Sequence, residues 1–70
     1  MDIWRKNIRF LRREKGITQE KLGENFGLSR THMSAYEQGR NEPGIDLLIR
    51  IADYFDVSLD ELLRKELFKA

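Results

Sequence analysis

The sequence has no cysteine and only one histidine and one proline in 70 residues. Without cysteine there is no disulfide framework, no thiolate metal site and no thiol nucleophile, so stability must come from packing alone. The lone histidine, His32, excludes most of the remaining catalytic chemistry. A zinc site needs three or four protein ligands, and a hydrolytic triad needs a nucleophile and an acid converging on the base from separated parts of the chain. Ser29, His32 and Ser34 lie within two turns of one helix, and no glycine-rich phosphate loop precedes a strand. Asp60/Glu61 and Asp53/Asp56 read as helix caps and solvated faces rather than paired catalytic carboxylates. The expectation is a protein that is not an enzyme and uses neither metal nor cofactor. Long apolar runs are also missing: the longest is Leu47-Leu48-Ile49, far below the roughly 20 residues that cross a bilayer. The start, Met1-Asp2-Ile3-Trp4-Arg5, has neither a basic-then-apolar leader nor a small-residue cleavage site, which predicts a cytoplasmic location.

What is present is a globular composition, 40% apolar and 36% charged. Seventy residues make one small domain, near the size at which a single core only just offsets chain entropy. That favours local contacts and therefore helices. The net charge of +1 conceals an asymmetry. Residues 1–40 carry nine basic side chains against five acidic ones, whereas residues 41–70 carry four against seven. Two readings are open at this point: an amino-terminal surface for a polyanion with a carboxy-terminal half that has another task, or solvated helix faces with chance clustering.

Along the chain the periodicity predicts five helices and no strand. In the first, Ile3/Trp4, Ile8 and Leu11 recur near helical spacing, with Gly16 placed to end it at about Lys15 and Ile17 just beyond. Thr18 caps a second that runs to Phe26 with Leu22 and Phe26 on one face; Ser29 caps a third with Met33 and Tyr36 inward, ended by Gly39. After the polar connection Arg40-Asn41-Glu42-Pro43-Gly44, a fourth covers about Ile45 to Phe55, with Leu48, Ile51, Ala52 and Phe55 inward. Ser58-Leu59-Asp60-Glu61 is a capping box that opens the last, with Leu59, Leu62 and Leu63 facing in. With no linker, low-complexity tract or repeat, one all-α domain is expected over residues 1–70.

The stretch LGENFGLSRTHMSAYEQG, residues 22–39, sets Gly23 and Gly27 four apart. Two helices meeting steeply across a three- or four-residue turn come closest about one turn before the bend, where only a very small side chain fits. Gly23 stands there, and Gly27 can supply the positive φ of the turn. This is the spacing of a helix-turn-helix over about residues 18–38. The chain resembles the phage repressor and Cro family of helix-turn-helix regulators, including its xenobiotic-response-element branch. The resemblance is carried by IRFLRREKGITQEKLGENFGLSR, YEQGRNEPGIDLLIRIADYF and VSLDELL in that order. It implies a compact five-helix, lambda-repressor-like DNA-binding fold.

The resemblance also implies roles. In the family the third helix enters the major groove with its amino-terminal residues against base edges; the matching positions are Arg30, Thr31, His32, Ser34 and Ala35. Arg30 can donate two hydrogen bonds to guanine, whereas its charge is poorly placed for the helix dipole. Thr31 and Ala35 could touch a thymine methyl or be small exposed residues. His32 faces a phosphate or base, or is an idle exposed imidazole. Gln19, Ser29, Gln38, Arg40 and Asn41 match the family's DNA-backbone contacts, and Arg12 with Glu37 matches its structural ion pair.

Leu67 and Phe68 lie past the residues that complete the five-helix core. Either they form a dimer contact from a last helix reaching about 58–68, as the resemblance suggests, or the tail folds back on Trp4 or Phe10. The expected function is a sequence-specific, double-stranded-DNA-binding transcriptional regulator, a repressor acting as a homodimer. An antitoxin-like or other protein-interaction module on the same fold and a nonspecific nucleic-acid binder are the alternatives.

Overall fold

A computed structural model of the protein describes residues 3–69. Met1 and Asp2, on which the reading of the amino terminus partly rests, and Ala70 lie outside the described residues. Five α-helices follow one another: α1 (Ile3–Glu14), α2 (Gln19–Glu24), α3 (Arg30–Glu37), α4 (Ile45–Tyr54) and α5 (Leu59–Arg64). A single 3₁₀ turn, Leu67–Lys69, ends the described residues. Among the described residues there is no strand, and no helix is long and apolar enough to cross a membrane.

The helix starts follow their local chemistry. The hydroxyls of Thr18, Ser29 and Ser58 accept from the backbone N–H groups of Lys21, His32 and Glu61, satisfying donors that have no partner inside the helix. At α5 the bond is reciprocal, because the Glu61 carboxylate accepts from the Ser58 N–H at 2.9 Å. The backbone and hydroxyl hydrogen bonds from Ser58 hold the Glu61 carboxyl below the usual carboxylate range.

The helix ends obey a common rule with one exception. Each of the first four helices is followed by a residue at positive φ: Gly16, Gly27, Gly39 and Asp56. In each case the N–H of the residue that follows it reaches back five residues, as with Leu28 to the Gly23 carbonyl at 2.9 Å and Val57 to Ala52 at 3.0 Å. Asp56, at φ 57°, is the only described non-glycine residue in this conformation.

α5 is the exception, and here the sequence expectation fails. A helix reaching about residue 68 was expected, yet α5 stops at Arg64 and Lys65 is extended. The cause is distant in sequence. Asn7, fully buried on α1, donates from Nδ2 to the carbonyls of Leu62 (2.8 Å) and Lys65 (2.6 Å) and accepts the Leu67 N–H at 3.0 Å. One amide thus takes carbonyls that would otherwise call for further helix and turns the backbone along α1. The tail folds back, the second of the two readings: Phe68 and Phe10 line one groove, and the Lys6 ammonium lies 5.7 Å from the Phe68 ring centre.

The core is formed by Trp4, Ile8, Leu22, Met33, Leu48, Ile51, Ala52 and Leu62, with contributions from all five helices. Burying each large aliphatic side chain is worth about 1.5–3 kcal/mol, enough together to hold a domain that has no cross-link. Phe26 and Tyr54 meet edge to face at 5.8 Å, tying the end of α2 to α4.

Candidate nucleic-acid interface

The turn between α2 and α3 is set by two glycines with different tasks. Gly27 has φ +69°, which a side chain would strain, and no atom lies within 4 Å of where its Cβ would be. Gly23 is limited by space: a Cβ there would stand 2.5 Å from the Leu28 carbonyl oxygen and 3.0 Å from the Met33 Cγ. The close approach foreseen from sequence is present, but the obstructing backbone belongs to the turn itself rather than to α3. Gly23 therefore lets Leu28 cross α2, and that crossing sets the direction in which α3 leaves.

The far end of α3 is fixed electrostatically. Glu37, 3% exposed, receives Arg12 Nε at 2.6 Å on one carboxylate oxygen and Arg12 Nη2 at 3.1 Å on the other. Such a two-point pair specifies angle as well as distance. Arg12 Nη1 also donates to the Ile17 carbonyl at 2.9 Å, so the pair links α1, the α1–α2 loop and α3. Arg5 Nη1 donates to the Glu37 backbone carbonyl at 3.3 Å, placing a cation where the dipole of α3 favours one.

Between these two fixed ends, α3 presents a polar face. Arg30, Thr31 and His32 are exposed, Ser34 is half-exposed, and Gln38 Nε2 donates to Ser34 Oγ at 3.0 Å. Arg30, Thr31, Ser34 and Gln38 fall on one helical stripe. The Ser29 hydroxyl accepts the His32 N–H at 3.3 Å and stands 3.1 Å from His32 Nδ1. If the hydroxyl proton goes to Nδ1, the ring carries its own proton on Nε2 as an outward donor. Arg40 and Asn41 are exposed just beyond Gly39.

Two expectations about this face change. Ala35, assigned to base reading, is 7% exposed. It lies two residues from Met33 and from Glu37, about 200° round the helix from each, so it is covered on a different side from theirs and leaves little methyl surface open. Gln19, assigned to the backbone, is half-buried and donates from Nε2 to Glu37 Oε1 at 3.1 Å. That bond uses one of the two amide hydrogens and ties Gln19 to the ion pair.

The structure adds residues that the sequence reading passed over. Arg9 and Arg13 line the same cleft as Gln19 and Gln38, beside the Arg12–Glu37 pair. Four residues apart on α1, they place two more cations alongside the polar face of α3. Their spacing was a usable signal. So was that of Asn7, a polar residue in the apolar stripe Trp4, Ile8, Leu11.

Comparison with known proteins agrees with this geometry. A helix-turn-helix family model matches residues 8–62. The HTH-type transcriptional regulator YqaE of Bacillus subtilis (strain 168) is 38% identical over 64 residues, covering 91% of this chain and 55% of YqaE. The HTH-type transcriptional activator BcrR of Enterococcus faecalis is 43% identical over 56 residues, 80% of this chain and 28% of BcrR. The chain thus spans about half of one relative and about a quarter of the other. Among solved structures, the P22 c2 repressor, crystallised in complex with synthetic operator, superposes with a TM-score of 0.81 at 29% identity, covering 89% of this chain and 94% of that one. An all-helical domain whose α2 and α3 join through Gly23 and Gly27, matched by that model over most of its length, belongs to the helix-turn-helix family of transcriptional regulators of the phage repressor and Cro type.

Proposed function

We propose that the chain is a cytoplasmic, sequence-specific double-stranded-DNA-binding transcriptional regulator, a repressor that reads the major groove with α3 and performs no catalysis. The observation that carries this reading is the two-sidedness of α3. Met33 is packed in the core and Glu37 is buried and bonded to Arg12 and Gln19, while Arg30, Thr31, Ser34 and Gln38 form one outward polar stripe. A helix held at both ends with its donors outward has the shape of a groove reader. Arg9 and Arg13 on one side and Arg40 on the other supply charge for the flanking phosphates, and Asn41 beside Arg40 supplies an amide donor. The operator complex of the P22 c2 repressor supports duplex DNA as the partner. Two copies would place two reading helices on successive major grooves, about 34–36 Å apart. For that pairing we assign the surface of Leu67 and Phe68 that α1 leaves open, since both are half-buried rather than covered.

The test separates reading from positioning. A preferred duplex is first selected from a random pool, and Arg30→Ala and Arg40→Ala are titrated on it and on a duplex with the contacted guanine pair changed. Arg30→Ala should cost about 1–3 kcal/mol on the preferred duplex and much less on the altered one. Arg40→Ala should weaken both alike and lower the slope of log affinity against log salt by about one. Uniform loss from Arg30→Ala would favour a nonspecific binder.

A further inference from the structure

A cleft between the α3–α4 loop and the end of α5, with a volume of about 420 Å³, is lined by Trp4, Glu42, Pro43, Leu48, Leu63 and Arg64. It shares no residue with the reading face or with the arginines beside it. Pro43 and Leu48 are buried and Leu63 half-buried, so the floor is apolar, whereas Glu42 and Arg64 are exposed and bring one charge of each sign. An apolar wall with a few polar groups is the make-up of a small-molecule site.

Trp4 supplies the observation that points to a ligand. The residue is 7% exposed, yet its indole N–H has no hydrogen-bond acceptor among the described residues. Every fully buried side-chain nitrogen or oxygen among those residues has a partner, so the indole nitrogen is not sealed in. The cleft that Trp4 lines gives it an opening. A tryptophan N–H this deep ordinarily finds an acceptor, and here the acceptor has to come from outside the chain.

The two charges narrow the chemistry. Glu42 is in no ion pair among the described residues, and Arg64 donates from Nε to Asp60 at 2.9 Å, which leaves both of its Nη groups for another acceptor. A simple anion would meet Glu42 and a simple cation would meet Arg64, whereas a hydrocarbon would leave all three polar groups unmet. A zwitterion with an apolar body satisfies them together. We propose that the cleft binds a free hydrophobic amino acid, its carboxylate on Arg64 and the Trp4 N–H, its ammonium on Glu42 and its side chain over Pro43, Leu48 and Leu63.

Occupancy reaches DNA binding through the loop. Glu42 and Pro43 directly follow Arg40 and Asn41, so this step rests on the reading that those two residues hold phosphates. An ammonium against Glu42 offsets an unpaired negative charge beside the DNA backbone, and packing on Pro43 holds the loop that carries Arg40. The amino acid therefore tightens DNA binding, and DNA tightens the amino acid by the same factor.

Trp4 is the single tryptophan of the chain, so its fluorescence reports the cleft without a label. Wild type is titrated without DNA with L-leucine, L-phenylalanine, phenylacetate and phenethylamine, with calorimetry as a second readout. The two amino acids should shift the emission to saturation, and each single-charge analogue should bind about tenfold more weakly or worse. Glu42→Gln and Arg64→Gln, checked for native helicity by circular dichroism, should each weaken leucine binding by about tenfold. On a duplex selected from a random pool, leucine should raise the affinity of wild type but not of Glu42→Gln. Phenylacetate binding as tightly as phenylalanine, or undiminished leucine binding by Glu42→Gln, overturns the zwitterion site. An emission that changes on protein dilution but not with ligand makes the cleft a contact between copies and overturns it too. Silence from both amino acids up to their solubility overturns the site while the DNA reading, measured separately, stands. Leucine binding with no change in DNA affinity overturns the coupling alone.

Discussion

Arg12 and Glu37 meet through two parallel hydrogen bonds of 2.6 and 3.1 Å that join the last turn of α1 to the last turn of α3. The carboxylate is 3% exposed and the guanidinium 12%, so neither charge retains much of its water. Removing one partner leaves the other buried and uncompensated. Arg12→Met should therefore cost about 3–5 kcal/mol, much of the stability of so small a domain, whereas Arg12→Met with Glu37→Leu should lose clearly less than the sum of the single changes. Urea unfolding of the three variants measures the coupling. Strict additivity would mean that the pair does not act as a unit.

Gly23→Ala should destabilise by about 1–3 kcal/mol, because the added Cβ would lie 2.5 Å from a backbone oxygen that cannot swing aside as a side chain would. In an open helical position the same change would stabilise by nearly 1 kcal/mol. Gly44→Ser serves as the control: nothing lies within 4 Å there, and α4 has no side-chain cap, so a hydroxyl should raise the melting temperature. A higher midpoint for Gly23→Ala would remove the crowding argument.

Asn7→Ala should cost about 2 kcal/mol, since it strips partners from the Leu62 and Lys65 carbonyls. Asn7→Asp should be worse at neutral pH, because an ionised carboxylate cannot donate to either carbonyl. In both, the Leu67 amide should exchange with solvent faster: Asn7→Ala removes one of its two acceptors and leaves the Lys65 carbonyl at 2.9 Å, and Asn7→Asp keeps an acceptor but releases the segment. Unchanged exchange at Leu67 would show that the tail is held by other contacts.

Asp56→Gly should stabilise. Asp56 holds a left-handed conformation at φ 57° that glycine adopts without steric cost, and its charge sits at the carboxy-terminal end of α4, where the dipole disfavours an anion. A gain of about 1 kcal/mol, or roughly 4–8 °C in melting temperature, is expected. Asp56→Val should lower it. Thermal melts of the two variants give opposite signs if the backbone conformation is the controlling factor.

Much of the framework was legible in the sequence because its signals are short-range. Thr18, Ser29 and Ser58 act as caps within three residues of themselves, and Gly16, Gly27 and Gly39 end their helices through bonds spanning five residues or fewer. The two glycines of the turn, with Leu22 and Met33 at apolar spacing, defined the helix-turn-helix, and the resemblance drawn from that pattern pointed to Arg12 with Glu37. What the tertiary structure alone decided depends on contacts between residues far apart in the chain. Asn7 ends α5 from more than 50 residues away, overriding a local pattern that allowed the helix to continue. How little of Ala35 is left open depends on what packs round α3, which Leu28 approaches at one end and Arg12 ties through Glu37 at the other. Gln19 is drawn to Glu37, and Arg9 and Arg13 to the same cleft, by the packing of three helices whose mutual angles no local propensity encodes.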